Sequence, residues 1–224
     1  MKLYMHPVSM TTRPVRLFMA DNNIAAEEVF VDLMTGAHMQ PPYSLVNPNC
    51  LVPMIEDGDL KLTESSAILK YLADKIGSPA YPKDLKQRAK VNEVMDWFNT
   101  GHYREFGYHL VYPQVFPHHK RSSDEVQKST VQWGKDKTEH WLKILNDHII
   151  GSHKYVCGDQ ITIADYFGAE ILSAGDLIGN TYKSFPNVDR WLNTMHALPN
   201  WKKTNEAADG FAASLRGQTF VHVS

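Results

Sequence analysis

Hydrophobic positions change their spacing about a third of the way along the 224-residue chain. Up to residue 76, short alternating stretches interchange with helical ones, which predicts a strand, a helix and a strand, then a hairpin and a helix. The predicted strands are "KLYM", "EEVFVDL", "LVPMI" and "LKLT", and the predicted helices are "RPVRLFMADNN" and "ESSAILKYLADKIG". We expect Asp57 and Gly58 at the tip of the hairpin, because this dipeptide favours tight turns.

Past this region the pattern is purely helical. Residues 77–84, "GSPAYPKD", contain two prolines and a glycine and are predicted to be a linker. Helices are then predicted in "LKQRAKVNEVMDWFNTGHYREFGYHLV", "SDEVQKSTVQWGKDKTEHWLKILNDHI", "TIADYFGAEILSAGDL" and "VDRWLNTMHAL". The sequence therefore predicts an α/β domain over residues 1–76 and an all-α domain over residues 85–224.

Composition and charge exclude several classes of function. With 43% hydrophobic and 21% charged residues the chain is typical of a globular protein, and no stretch approaches the ~18 apolar residues of a membrane span. A net charge of −2 without a basic cluster argues against nucleic acid as a partner. The N-terminus lacks the features of a signal peptide, so we expect a cytoplasmic protein.

Cysteine and histidine patterns argue against disulfides and metals. Cys50 and Cys157 are the only cysteines and lie far apart in sequence, which fits a reducing compartment. No two of the eleven histidines are three or four residues apart, the spacing of ligand pairs on a helix. We expect no metal.

The stretch "VNPNCLVPMIEDGDLKLTES" contains two features that ask for an explanation. Proline removes a donor from a β-ladder, so Pro53 should begin its strand or lie at an edge or a bend. Glu64 and Ser65 open the following helix. In the isolated fragment, Ser65 and Ser66 would be interpreted as simple caps of this helix.

The order of these elements, with "VP" opening the third strand and "ES" opening the helix after the hairpin, resembles the glutathione-binding half of the glutathione transferases. "LYMHPVSMTTRPVRLF", "VDLMTGAHM" and "CGDQITIADYF" are similar to theta-like members, including bacterial ones. The resemblance implies a thioredoxin-like domain followed by an all-helical domain, glutathione and a small electrophile as substrates, and a homodimer. It also implies that Thr162 and Asp165 form a structural capping box.

The resemblance also assigns the glutathione contacts. A cis Val52-Pro53 bond is implied, with the Val52 backbone paired to the cysteinyl part of glutathione. Glu64 and Ser65 suit the ammonium and carboxylate of the γ-glutamyl end, because a helix N-terminus attracts anions. His38 matches a histidine that faces the glycyl carboxylate. Theta members commonly have a lysine where this chain has Leu51, which weakens the predicted glycyl contact.

Catalysis requires glutathione to be mostly thiolate near neutral pH, although a free cysteine thiol has a pKa near 8.5. In theta-like members a serine hydroxyl between the first strand and first helix donates to the sulfur, and that serine aligns with Ser9. Thr11 and Thr12 are neighbouring alternatives. Arg13 either adds positive potential beside the start of the helix or forms a structural ion pair, and we favour the ion pair. An apolar electrophile pocket is predicted from Met10, Thr11, His102, Tyr103, Phe106 and Tyr112, although aromatic residues at helical spacing are as often core.

Two other functions remain open. Cys50, three residues before Pro53, could carry out glutathione-dependent thiol-disulfide or reductive chemistry, although a thioredoxin-type cysteine would open the first helix. Alternatively, the same fold could carry apolar ligands without catalysis. The sequence does not distinguish conjugation from dehalogenation, epoxide opening or isomerisation, because loop packing decides the shape of the pocket.

Overall fold

The computed structural model describes residues 1–224, which begin with a four-stranded sheet. The strands are β1 (Lys2–Met5), β2 (Glu27–Phe30), β3 (Met54–Asp57) and β4 (Leu60–Thr63). Their order is β2-β1-β3-β4, with β1 parallel to β2 and antiparallel to β3, and β3 antiparallel to β4. Leu3 and Ile55 pair across the two central strands and are fully buried, so the core begins at the centre of the sheet.

Helices cover this sheet because their apolar residues recur on one face. The helices are α1 (Arg13–Asp21), the short α2 (Tyr43–Val46) and α3 (Ser65–Lys75), with a 3₁₀ turn at Ala37–Met39. In α1, Val15, Leu17 and Phe18 are fully buried, and α1 packs against α3 and against the helical part of the chain. Gly77 follows α3 with a φ of +64°, a conformation that glycine adopts without strain.

The rest of the chain is helical. A continuous helix over residues 85–115 contains α4 (Leu85–Asp96), α5 (Tyr103–Glu105) and α6 (Tyr112–Val115), separated by π-helical turns at Trp97–His102 and Phe106–Val111. It is followed by a 3₁₀ turn at Pro117–His119, α7 (Asp124–Ile144) with a π-helical end at Leu145–Ile150, α8 (Ile163–Ser173) with a 3₁₀ end at Ala174–Ile178, α9 (Pro186–His196) and α10 (Trp201–Ser214). No helix combines the length and apolar character needed to cross a membrane.

The fold confirms the thioredoxin-like α/β region followed by an all-α region. Residues 77–84 pack against the helical part, since the Ile163 amide donates to the Ala80 carbonyl at 2.9 Å. The domain boundaries at 76 and 84 stay predictions. α2 and α10 were not predicted, and β2 ends at Phe30 rather than continuing to Leu33.

The capping box at the start of α8 is present as predicted. The Asp165 carboxylate accepts hydrogen bonds from the Thr162 amide at 2.7 Å and the Thr162 hydroxyl at 2.9 Å. It also accepts from the Val156 amide at 2.9 Å and from Trp191 Nε1 at 3.0 Å. Burial raises the pKa of Asp165 to about 6 against the opposing effect of these donors. Through the bond from Trp191, the capping box also connects α8 to α9 in the core.

Candidate functional site

A cavity of about 240 Å³ opens where the loops at one end of the sheet meet the helix over residues 85–115. Most of the predicted site residues line it: Ser9, Met10, Thr11, His38, Val52, Pro53, Glu64, Ser65, Tyr103 and Tyr112. Loops of the α/β part contribute the polar lining, and the helical part contributes aromatic rings. Such a cavity can hold a polar ligand on one side and an apolar one on the other.

Ser9 lies in the turn between β1 and α1. Its amide donates to the His6 carbonyl at 3.0 Å, and its own carbonyl accepts from the Arg13 amide at 3.0 Å. Its hydroxyl accepts from the Thr12 amide at 3.3 Å. These bonds fix Ser9 at the N-terminal end of α1, where the helix dipole favours a nearby negative charge.

The Ser9 hydroxyl belongs to a short chain of hydrogen bonds. Ser9 Oγ lies 3.1 Å from Thr11 Oγ1, and Thr11 Oγ1 donates to the Val52 carbonyl at 3.0 Å. A hydroxyl carries one hydrogen, so the Ser9 hydroxyl is the donor in its contact with Thr11. Both distances are at the long end for O–H···O bonds.

The backbone before Pro53 is held open to the cavity. The Val52-Pro53 peptide bond is cis, which confirms the prediction. The Leu51 carbonyl accepts from Tyr43 Oη at 2.5 Å and from Asn47 Nδ2 at 2.8 Å. The Val52 amide donates to no group of the chain. An extended ligand can therefore pair with the amide and carbonyl of Val52 as a strand does.

Glu64 and Ser65 stand at the N-terminus of α3. Glu64 has a φ of +64°, uncommon for a residue with a side chain, and its carboxylate does not cap the helix. Ser65 is the first helical residue and is 6% exposed. The simple capping interpretation is therefore wrong, because no side chain caps this helix at its N-cap position.

Two histidines lie beside the polar wall of the cavity, which is formed by Ser9, Val52, Glu64 and Ser65. His38 lies in the 3₁₀ turn Ala37–Met39, and its Nδ1 is buried without a hydrogen-bond partner. His6 is buried, and its Nδ1 accepts from the Val8 amide at 3.3 Å. Burial lowers the pKa of His6 in spite of the nearby Asp32 carboxylate. His6 is therefore predominantly neutral at neutral pH, and Nδ1 of His38 forms no hydrogen bond with another group of the chain.

Aromatic rings form the opposite wall. Tyr103 Oη and Tyr112 Oη are hydrogen-bonded at 2.8 Å, and burial raises the pKa of both hydroxyls. The cavity is also lined by Tyr108, which belongs to the same group of aromatic residues as the predicted ones, and by Phe116, His118 and His119, which were not predicted. No sequence signal places the turn that contains the two histidines beside the sheet.

Two predicted pocket residues need correction. His102 and Phe106 are fully buried and do not line the cavity. The His102 ring packs in the helical core, with its centroid 5.9 Å from that of Trp97 and 5.1 Å from that of Phe106. Burial lowers the pKa of His102 to about 3. Both residues lie in π-helical turns of this helix, His102 in Trp97–His102 and Phe106 in Phe106–Val111.

Neither cysteine is arranged as a nucleophile. Cys50 does not line the cavity, and its Sγ contacts the Pro48 carbonyl at 3.7 Å. Burial raises the pKa of Cys157 to about 12. A thiol with a raised pKa is mostly protonated and unreactive.

Two family models match the chain. The model described as "Glutathione S-transferase, N-terminal domain" matches residues 1–74, and the one described as "Glutathione S-transferase, C-terminal domain" matches residues 109–199. The first match contains the sheet and the polar wall of the cavity. The second begins within the helix that carries the aromatic wall.

Individual proteins resemble the chain over most of its length. Glutathione S-transferase theta-2 of Homo sapiens is 30% identical, covering 92% of this chain and 85% of that protein, and human theta-1 is 34% identical, covering 88% and 82%. The solved structure of human glutathione transferase theta-2, in complex with glutathione and an unknown ligand, superposes with a TM-score of 0.84 at 26% identity, covering 100% of this chain and 93% of that one. A Nilaparvata lugens delta-class glutathione transferase gives 0.81 at 30% identity, covering 96% and 98%.

Proposed function

The chain belongs to the glutathione S-transferase family as a theta-like member, and we propose that Ser9 Oγ donates a hydrogen bond to the glutathione thiolate, which attacks an electrophilic, apolar small molecule. One observation carries this proposal: the Ser9 hydroxyl lines the same cavity as the Val52 backbone, the Glu64-Ser65 pair and an aromatic wall. A thiol anchored by the first groups can therefore meet an apolar molecule beside Ser9.

Glutathione binds along the polar wall in this proposal. The γ-glutamyl ammonium pairs with Glu64, and its carboxylate accepts from the Ser65 hydroxyl and from amides at the start of α3. The cysteinyl part pairs with the amide and carbonyl of Val52. The unpartnered Nδ1 of His38 suits the glycyl carboxylate, because a histidine N–H donates well to an anion.

The thiolate is stabilised at the N-terminus of α1. Ser9 Oγ accepts from the Thr12 amide, and in this proposal its single hydrogen, which is directed to Thr11 in the free protein, turns to the sulfur. The helix dipole adds to this effect, since the sulfur lies beyond the N-terminal end of α1. A hydrogen bond to a charged group contributes about 1.5–3 kcal/mol, which is equivalent to about one to two pKa units.

The electrophile occupies the aromatic side of the cavity. Met10, Thr11, Tyr103 and Tyr112 remain the proposed contacts, joined by Tyr108 and Phe116. The bonded hydroxyls of Tyr103 and Tyr112 place a polar patch in this otherwise apolar wall. We also propose a cytoplasmic homodimer that uses no metal, with glutathione held by residues 1–76 and the electrophile by residues 85–224.

A conjugation assay tests the proposal. The protein is mixed with glutathione and a general aryl-halide substrate, and the wild type is compared with Ser9→Ala and Cys50→Ser. We expect turnover by the wild type, a lower rate for Ser9→Ala at neutral pH and an unchanged rate for Cys50→Ser. Loss of activity in Cys50→Ser alone would favour the reductive mechanism, and glutathione binding without turnover of any electrophile would favour a carrier.

A further inference from the structure

The hydrogen-bond chain from Ser9 through Thr11 to Val52 has a fixed direction when no ligand is bound. A carbonyl can only accept, so Thr11 uses its single hydrogen on Val52. Ser9 then uses its own hydrogen on Thr11. In this arrangement the Ser9 hydrogen points away from any sulfur in the cavity, although the proposed function requires Ser9 to donate to it.

Reversing the chain resolves this conflict. We infer that Thr11 is a positioning residue whose hydroxyl turns from the Val52 carbonyl to Ser9 Oγ when glutathione binds, so that the Ser9 hydrogen is released to the sulfur. This inference rests on the proposed function, because it requires the cysteinyl amide of glutathione to donate to Val52. That amide then donates to the Val52 carbonyl in place of the Thr11 hydroxyl.

The Ser9 hydroxyl, the Thr11 hydroxyl and the Val52 carbonyl each have a hydrogen-bond partner in both arrangements. After the reversal, Ser9 Oγ accepts from the Thr12 amide and from Thr11, and it donates to the sulfur, which uses both lone pairs and the hydrogen. Only the 3.0 Å bond from Thr11 to Val52 is broken, while the 3.1 Å contact between Ser9 and Thr11 is kept with donor and acceptor exchanged. The broken bond is at the long end for O–H···O bonds, so little is lost. A bond to a thiolate is charge-assisted and stronger, which favours the reversed arrangement once the anion is present.

The reversal makes Ser9 a stronger donor. A hydroxyl that accepts a hydrogen bond from another hydroxyl is polarised and donates more strongly in turn. Thr11 therefore acts through Ser9 and does not touch the sulfur. It also links two events, since the reversal that frees the Ser9 hydrogen leaves the Val52 carbonyl to the glutathione backbone.

The test is a double-mutant cycle on the pKa of glutathione bound at saturation, followed by the ultraviolet absorbance of the thiolate. Thr11→Val keeps the branched shape but removes the hydroxyl, and Thr11→Ser restores a hydroxyl. We expect Thr11→Val to raise the thiol pKa by about half a unit to one unit, and the rate at neutral pH to fall about threefold to tenfold. Thr11→Ser should stay close to the wild type, and glutathione affinity should be retained in both.

The double variant distinguishes an effect of Thr11 that acts through Ser9, which we call the relay, from a direct contact between Thr11 and the sulfur. In the Ser9→Ala background, we expect Thr11→Val to cause no further rise in the thiol pKa, because the Ser9 hydroxyl through which Thr11 acts is absent. Charged or titratable groups around the cavity are common to all variants and cancel in the comparison: Arg13, Glu64, His6, His38, His118 and His119, with the three tyrosines of the aromatic wall.

Each failure has a distinct result. If Ser9→Ala leaves the thiol pKa unchanged, the proposed function itself is wrong. If Ser9→Ala raises it but Thr11→Val has no effect in the wild-type background, only the relay is wrong. An equal rise from Thr11→Val in both backgrounds would mean that Thr11 contacts the sulfur directly, which also overturns the relay. If Thr11→Val lowers the melting temperature of the unliganded protein, Thr11→Ser becomes the test. A raised thiol pKa in Thr11→Ser would then contradict the relay.

Discussion

Arg13 Nη1 lies 3.0 Å from Glu170 Oε2, and both side chains are buried, so an ion pair connects the first turn of α1 to α8. Arg13 also donates to Ser173 Oγ at 2.8 Å, and Asn205 Nδ2 donates to Glu170 at 2.9 Å. Because α1 begins four residues after Ser9, this pair fixes the Ser9 turn to the helical part of the chain.

Removing one charge of this pair should cost much of the protein's stability. Glu170→Gln leaves the buried Arg13 guanidinium without its counter-charge, and we expect the free energy of unfolding in urea to fall by about 3–5 kcal/mol. Asp74→Asn is the control, since it breaks the more exposed Arg88–Asp74 pair of 2.7 Å and should cost less than about 1 kcal/mol. Equal losses in the two variants would contradict the structural role of the buried pair.

His102 should make stability depend on pH. Its pKa is lowered from 6.5 to about 3 by burial, so the unfolded chain binds a proton that the folded protein does not between these values. Stability is therefore present above pH 6.5 and is lost as the pH falls towards 3. The free energy of unfolding should fall by up to about 1.4 kcal/mol per pH unit from this group.

His102→Phe tests this dependence. Neither ring nitrogen of His102 has a hydrogen-bond partner, so phenylalanine should pack in the same aromatic cluster. Urea unfolding between pH 4 and pH 6.5 should show a slope smaller by about one proton in the variant. The exposed His222 provides the control His222→Gln, which should keep the wild-type slope. An unchanged slope in His102→Phe would mean that the buried histidine is not the titrating group.

The start of α3 should determine glutathione binding without affecting the free protein. A ligand that binds only the folded state stabilises it by RT ln(1 + [L]/Kd), about 2.7 kcal/mol at a hundredfold excess over Kd. Glu64→Gln and Ser65→Ala should lose most of the thermal shift caused by millimolar glutathione and keep the unliganded melting temperature. Ser66→Ala, which does not line the cavity, should retain the shift. A full shift in both site variants would show that glutathione binds elsewhere.

A lysine at position 51 should tighten glutathione binding. Leu51 lines the cavity beside Val52 and is 56% exposed, so the introduced ammonium could reach the glycyl carboxylate. An exposed ion pair contributes about 0.2–1 kcal/mol, so we expect up to about fivefold higher affinity by calorimetry, declining with added salt. Leu45→Lys places the same charge at an exposed position outside the cavity and should have no effect. The same gain in both variants would exclude a local contact.

The resemblance to the glutathione transferases, which rests on short sequence motifs, predicted the polar wall of the cavity. The strands Lys2–Met5 and Leu60–Thr63 were predicted to the residue because alternation and flanking turns mark both ends. Ser9, Val52, Glu64 and Ser65 each lie within a short motif whose chemistry depends on neighbours in sequence. Such groups come together when the sheet forms.

The aromatic wall depends on long-range packing. His118 and His119 reach the cavity only because a helix of the second part crosses the sheet loops, and no local pattern encodes that crossing. His102 was placed in the pocket because it lies among aromatic residues at helical spacing, and such spacing does not distinguish the wall of a pocket from the core. α10 was missed because "WKKTNEAADGFAAS" has small residues where a large apolar stripe would be expected.

The central claim is that the Ser9 hydroxyl stabilises the glutathione thiolate. Titrating the ultraviolet absorbance of the bound thiolate against pH, with each protein saturated with glutathione, measures this most directly. We predict a thiol pKa below the ordinary 8.5 in the wild type, a value about one to two units higher in Ser9→Ala, and the wild-type value in Cys50→Ser. A wild-type thiol pKa in Ser9→Ala, with the thiolate lost in Cys50→Ser, would contradict the account.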